Sequence, residues 1–320
     1  MKRVKLMAAT LFAACAVSVA SAQTATEVSA KFNEAAAKYN AKDFTGAIPL
    51  FEESISMAES SSEDVIETLQ NAQKFLVTSY LSEGVNLAKT NNLDGALEMF
   101  QKSYDLADMT GSMMAGRAQG MIANVYTAKG NALAKSEDYA GAAEEFNKSY
   151  TFDNKNTKAA LLAAQFYNKA GNTEKSDEIY TQVIALGQTH SKYEAAATEA
   201  ADAYATNYLV TASAAAADKN YAGVTENLDK IAAVAPDNAK ALMLRVQAAN
   251  NFQKVDDVIK YGEDAANAQT DEAAKSNVYF LVAAAYQTKE NKAKAIEYYG
   301  KVTAGDNVQA AKDTAAALAK

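Results

Sequence analysis

Residues 92–108, NLDGALEMFQKSYDLAD, and residues 138–154, DYAGAAEEFNKSYTFDN, write one phrase twice: Gly-Ala, three residues, Phe, one residue, then Lys-Ser-Tyr. A copy earlier in the chain, KDFTGAIPLFEESISMA at 42–58, is the first of three and keeps the spacing with Phe44, Gly46, Ala47, Phe51 and Ser54. The second copy has Leu93, Gly95, Ala96, Phe100 and Ser103, and the third has Tyr139, Gly141, Ala142, Phe146 and Ser149. Fainter versions follow around Ser176, Tyr180 and Val183; Val224, Leu228 and Ile231; Val258 and Ala265; and Ala295, Tyr299 and Val302. A small residue, an aromatic four later and a small or branched residue three beyond that lie along one face of an α-helix. Small residues at the ends of that stripe let a neighbouring helix approach, and the aromatic fills the space between. Such a helix cannot bury its stripe alone.

Upstream of each copy lies a second helical pattern, with its own small or branched residue twelve positions before the key one: Ala35, Gly84, Gly130, Ala164, Ala212, Val246 and Ala283. Short polar turns separate the two helices, among them AKD at 41–43, KTNN at 89–92, KSED at 135–138 and KEN at 289–291. Several place Asp or Asn where a helix N-cap is wanted. The unit is helix, tight turn, helix, and seven units are predicted.

This pattern resembles the tetratricopeptide repeat, whose unit of about 34 residues carries Gly or Ala, Tyr or Leu, Ala, Phe or Tyr, Ala and a late Pro. The fragments DYAGAAEEFNKSYTFDN, VAPDNAKAL and VAAAYQTKENKAKAIEYYGKV carry it best, and the resemblance spans about residues 28–304. It implies an all-α fold, an α-solenoid in which about seven helix-turn-helix repeats stack into a right-handed superhelix. The key residues Ala47, Ala96, Ala142, Ser176, Val224, Val258 and Ala295 are separated by steps of 49, 46, 34, 48, 34 and 37. Three steps are long, yet the sequence between stays helical in pattern and lacks Pro, so longer helices are expected there in place of inserted loops. Gly262 replaces the aromatic in the sixth unit, Pro49 is expected to bend its helix, and residues 305–320 are expected to form a capping helix.

The chain has 320 residues, a formal net charge of -8, one Cys, one His and 49% apolar residue types, enough to build a large core. Its first stretch, MKRVKLMAATLFAACAVSVASAQ, has the layout of a secretory signal: Lys2, Arg3 and Lys5, an apolar run from Leu6 to Val19, and small residues before Gln23. Residues 1–22 are therefore set apart as a signal peptide, 23–304 as the repeat array. Export to the periplasm is expected; the cell surface is an alternative, and so is a lipid anchor at Cys15, after the lipobox-like Phe12-Ala13-Ala14. Cleavage after Ala22 would leave no Cys and shift the charge from -8 to -11, since Lys2, Arg3 and Lys5 depart. Such acidity disfavours nucleic acid and anionic lipid as partners, and no transmembrane helix is expected in the mature chain.

Reactive chemistry has few candidates. His190 is the sole His, without a companion for a zinc site, and is expected in a solvated turn. The acidic pairs Glu52-Glu53, Glu144-Glu145 and Asp256-Asp257 are neighbours in sequence and so point different ways on a helix; they are read as solvated faces. Met99, Met109, Met113, Met114 and Met121 are read as core filling, with an adaptable binding surface as the alternative. No catalytic residue, metal site or cofactor is predicted.

Binding remains. The resemblance implies that the first helix of each unit lines a concave ligand face. Carried onto this sequence, its ligand positions give Asn124, Thr127 and Asn131 in the third repeat and Lys158, Leu161, Gln165, Asn168 and Lys169 in the fourth. Lys240, Met243, Gln247 and Asn250 follow in the sixth, and Phe280 and Gln287 in the seventh. The family's clamp for a C-terminal carboxylate is present only in fragments, Lys158 and Asn131, and neither Arg117 nor Arg245 completes it. The expected role is a non-enzymatic scaffold for another envelope protein or peptide, with a periplasmic binding protein for a small molecule or glycan as the alternative.

Overall fold

A computed structural model describes residues 24–61 and 63–320. The signal-like segment at 1–22, with Cys15, lies outside the described residues. Among them stand fifteen α-helices and no strand, the all-α repeat class read from the periodicity. The chain falls into two compact units, one ending at Asn172 and the other beginning at Thr173. The first contains α1 (Ala25–Asn40), α2 (Phe44–Ser60), α3 (Ile66–Lys89), α4 (Leu93–Met109), α5 (Met114–Lys135), α6 (Tyr139–Phe152) and α7 (Thr157–Lys169). The second contains α8 (Thr173–Thr189), α9 (Glu194–Ala217), α10 (Tyr221–Val234), α11 (Ala239–Asn251), α12 (Val255–Asn267), α13 (Glu272–Thr288), α14 (Lys292–Gly300) and α15 (Val308–Leu318), which packs on α14 near the C-terminus.

The turns inside the pairs are copies of one device. A single residue turns left-handed, at Lys42, Asn91, Glu137, Lys219, Gln253 and Glu290, with φ between 56° and 62°, and at Gly171 with φ +80°. The next amide then reaches back to a carbonyl of the first helix's last turn: Asp43 to Lys38 at 3.0 Å, Asn92 to Leu87 at 2.9 Å, Asp138 to Leu133 at 3.0 Å. The same Asp or Asn caps the second helix. Asp43, Asn92, Asp138 and Asn220 accept from the amides of Gly46, Gly95, Gly141 and Gly223 at 2.9, 3.1, 2.9 and 3.0 Å. A Cβ on Gly46 would sit 2.5 Å from Oδ2 of Asp43, and one on Gly141 2.4 Å from Oδ2 of Asp138. The glycine of each Gly-Ala is there to let the cap come close.

Each remaining letter of the phrase has a partner. Ala47, Ala96 and Ala142 are fully buried, as are Phe51, Phe100 and Phe146 to within 2%. The aromatic ring lies on the small residue of the paired first helix: a Cβ on Gly84 would meet Phe100 at 2.6 Å, and one on Gly130 would meet Phe146 at 3.0 Å. The buried serines cross the same interface. Ser103 donates to the carbonyl of Val77 at 2.9 Å and Ser149 to that of Ala123 at 2.8 Å, while Ser54 faces the carbonyl of Val28 at 3.4 Å, each 26 residues back. The lysine beside each serine lies over a tyrosine four residues before the small residue: Lys102 over Tyr80 at 5.9 Å, Lys148 over Tyr126 at 5.8 Å. Lys230 over Tyr208 and Lys301 over Tyr279 repeat this at 4.8 and 5.2 Å. In the first pair the chemistry changes hands, Lys31 and Glu53 forming an ion pair at 3.1 Å from the same two positions.

The long steps are longer helices. α3, α5 and α9 have 24, 22 and 24 residues, and the helices before them, α2, α4 and α8, have 17 each. The shorter second helices α6 and α10 have 14. Facing helices lengthen together because either overhang alone would leave apolar surface in water. The added turns are packed: Ala58 with Val65, and Leu106 and Ala107 with Leu76. Pro49 lies inside α2, which continues through it. In the sixth unit Gly262 is covered by Val282 of α13, whose Cγ2 would lie 2.1 Å from a Cβ there, so the following helix fills the place of the missing aromatic.

Two sequence readings are corrected by packing. The acidic pairs are not simple solvated faces. Glu52 accepts from the hydroxyl of Tyr80 while Glu53 meets Lys31; Asp257 accepts from Tyr221 at 2.7 Å while Asp256 meets Lys289 at 2.8 Å. Glu145 is buried and paired with Lys148 at 2.6 Å. Because neighbours on a helix diverge, each acid finds a donor in a different place. Among the methionines, Met99, Met114 and Met121 pack on the core, whereas Met109 and Met113 are exposed, at 61% and 98%.

Candidate functional site: the faces of the first helices

The first helices of successive pairs touch one another, α1 on α3 and α3 on α5 in the first unit, α9 on α11 and α11 on α13 in the second. The second helices hold their partners through the serine, phenylalanine and lysine contacts above. The exposed side chains of the first helices point away from those contacts.

In the first unit this surface carries an open groove of about 460 Å³. Tyr39 at the end of α1 and Phe44 at the start of α2 form one wall, their rings edge to face at 5.5 Å. Leu81, Val85 and Lys89 come from α3 one turn apart, with Thr78, Ser82 and Asn86 on its polar edge. Met114, Arg117 and Met121 of α5 close the other side. The hydroxyls are already engaged, Ser82 donating to the carbonyl of Thr78 at 2.8 Å and Thr78 to that of Phe75 at 2.9 Å. In the second unit a groove of about 520 Å³ is lined by Ala216 at the end of α9 and Lys219 just after it, and by Leu244, Gln247, Ala248 and Asn251 of α11, with Phe252.

The residues expected at the ligand face divide by environment. Asn124, Asn131, Lys158, Gln165 and Lys169 are exposed on α5 and α7, as are Lys240, Gln247 and Asn250 on α11; Gln247 lines the second groove. Leu161 and Asn168 are half-buried. Others have internal partners. Thr127 shares a hydrogen bond with Ser149 at 2.9 Å, Gln287 accepts from Tyr299 at 2.9 Å, and Phe280 and Met243 pack on the core. Lys169 lies over the rings of Phe166 and Tyr139 at 5.1 and 5.5 Å. Among the described residues, no hydrogen bond joins one member of this set to another. The groove on α1, α3 and α5 was missed, although Leu81, Val85 and Lys89 stand three before, one after and five after Gly84, the offsets used for later repeats.

His190 is exposed after α8, its Nδ1 2.8 Å from the Thr189 hydroxyl. Among the described residues no group of three or more His, Cys, Asp or Glu is placed to hold a metal ion. No helix among them is long and apolar enough to cross a membrane. Arg245 is buried, paired with Asp229 at 2.6 Å and lying 4.7 Å over the ring of Tyr261. That arginine ties α11 to α10 and α12.

A family model described as "Tetratricopeptide repeat" matches residues 276–304, from within α13 to just past α14. Among solved structures, the chain is similar to the C-terminal part of a TPR repeat-containing protein from Cytophaga hutchinsonii, at 13% identity and a TM-score of 0.33, over 85% of this chain and 93% of that one. It is similar to MamA at 18% identity and a TM-score of 0.29, over 54% of this chain and 91% of that one. It is also similar to the TPR2AB domain of yeast Sti1, solved as a complex with pHSP90, at 16% identity and a TM-score of 0.30, over 76% and 96%. No curated protein matches the chain.

Proposed function

We propose that the chain is a non-enzymatic scaffold that binds a protein partner along the exposed faces of its first helices, a reading supported by the tetratricopeptide-repeat match at residues 276–304 and by the repeated helix pairs. The observation that supports this most is the division of labour within the pairs. Second helices spend their Phe, Ser and Lys on the first helices, whose outer faces keep neutral amides, lysines and an apolar groove. Neutral amides suit a peptide backbone, and the fixed spacing of stacked helices offers them in register. The signal-like start of the sequence supports export, with the partner then belonging to the cell envelope.

The test is affinity capture from a cross-linked envelope fraction on the full chain. A stoichiometric protein partner is expected, lost in a variant with Gln247→Ala and Lys158→Ala on the exposed faces. A co-purified small molecule or glycan with no protein would overturn the scaffold reading. Mass spectrometry of the mature N-terminus tests export, with Gln23 expected as the first residue and an acylated Cys15 as the contrary result.

A further inference from the structure

The groove on α1, α3 and α5 differs from the rest of the molecule in its charge. The chain is acidic, at -8, yet among the described residues no Asp or Glu lines this groove, while Lys89 and Arg117 both do. Both cations are exposed, and among the described residues neither belongs to an ion pair, whereas Lys129 of α5 is paired with Asp94 at 2.8 Å. Between them lies an apolar floor of Leu81, Val85 and Met121, with Tyr39 at one edge. Two unpaired cations over apolar surface, on a protein whose general field repels anions, select a ligand that brings its own carboxylates to that one place.

We propose that this groove binds an acidic peptide segment, apolar side chains seated on Leu81, Val85 and Met121 and side-chain carboxylates meeting Lys89 and Arg117. The inference rests on the scaffold reading and gives its partner a chemistry. Arg117 supplies a planar fork that takes one carboxylate through two donors, and Lys89 supplies a point charge five residues beyond Gly84. Methionine lets the floor adapt to more than one apolar shape. The ligand's carboxylates belong to side chains within the segment, so a free C-terminus is not required.

The experiment pans a random peptide library, fused through the peptide C-termini to a phage coat protein, on the immobilised full chain. Enrichment of peptides rich in Asp or Glu beside Leu, Ile or Phe is expected. A synthetic copy of the leading peptide, amidated at its C-terminus, should bind at least tenfold more weakly to Arg117→Gln/Lys89→Gln and to wild type in 1 M salt. Both substituted residues are exposed, so circular dichroism should show the variant folded. Neutral or basic winners, no enrichment, or winners that bind the double variant equally would overturn the proposal. If envelope capture still yields its partner under any of those results, the scaffold reading survives and this assignment of the groove fails alone.

Discussion

Gly84→Ala should change the sign of its effect when Phe100 is removed. A Cβ at position 84 would lie 2.6 Å from Cε1 and 2.7 Å from Cδ1 of Phe100, against about 3.5–4.0 Å for relaxed carbon contacts, so the ring must retreat by about 1 Å. Such overpacking costs about 1–3 kcal/mol. Alanine returns about 0.8–1.0 kcal/mol in helix propensity, so the single variant should be neutral to about 2 kcal/mol less stable. Phe100→Ala alone should cost about 3–5 kcal/mol, since the ring is almost fully buried. In that background the methyl enters space the ring vacated, and Gly84→Ala should stabilise by about 1–2 kcal/mol from propensity and burial together.

The coupling between the two sites is then about 2 kcal/mol, well beyond the ~0.5 kcal/mol scatter of independent sites. Urea unfolding followed by circular dichroism measures it, and hydrogen exchange of α3 and α4 amides locates it, because repeat arrays unfold in parts. Gly120 serves as the control: it lies in α5 with nothing within 4 Å of a Cβ placed there. Gly120→Ala should gain about 0.8–1.0 kcal/mol in both backgrounds. If Gly84→Ala behaves like that control, stabilising equally with and without the ring, the small residue and the aromatic do not share one space and the packing logic of the repeat is wrong.

Ser103→Ala should cost about 1 kcal/mol, the net value of one hydrogen bond, because the carbonyl of Val77 loses a donor at 2.9 Å; a loss below about 0.3 kcal/mol in urea unfolding would show the serine is there for its size alone. Alkaline titration tests the tyrosines. Burial, and then the hydrogen bond to Glu52, hold the Tyr80 hydroxyl well above the ordinary value near 10, and Tyr208, Tyr221 and Tyr298 are raised by burial and by their bonds to Asp177, Asp257 and Glu263. A folded state that keeps its phenolic protons longer is at full stability below about pH 10 and loses stability as pH climbs further. Absorbance at 295 nm should show these tyrosines ionising late and with unfolding; all seventeen titrating together near pH 10 in the folded protein would refute it.

The stripe of small and aromatic residues was legible because its spacing is a property of the helix itself, and the longer helices were legible because a helical pattern without Pro ran through each long step. Contacts between helices were less so. Nothing in the spacing pairs Lys102 with Tyr80, and only the fold sets one over the other. Glu145 likewise reads as half of an exposed acidic pair, yet it is buried against Lys148. The boundary after Asn172 falls in a turn, KAGN, composed like every other turn of the array, so composition could not mark it. The groove on α1, α3 and α5 was hidden for another reason: Leu81 is buried in the core and Val85 and Met121 pack against it, so periodicity assigns all three to packing although their edges also line the groove.

The exchange of roles in the first pair shows what the repeat holds constant. Where later pairs set a lysine of the second helix over a tyrosine of the first, the first pair sets Glu53 against Lys31. The two positions keep an attraction between helices and not a residue type. Either version is worth about 0.5–1 kcal/mol at a partly exposed site, far less than the buried ring beside it. The ring and small residue therefore fix the distance between helices, and the weaker pair acts after that distance is set, aligning one rod along the other. With spacing and alignment both secured on the inner faces, substitutions at exposed positions of a first helix such as Lys89 and Arg117 touch neither. That independence lets Lys89 and Arg117 collect over an apolar floor without weakening the pairs that carry them, and it lets exposed residues differ from repeat to repeat while the phrase beneath them stays the same.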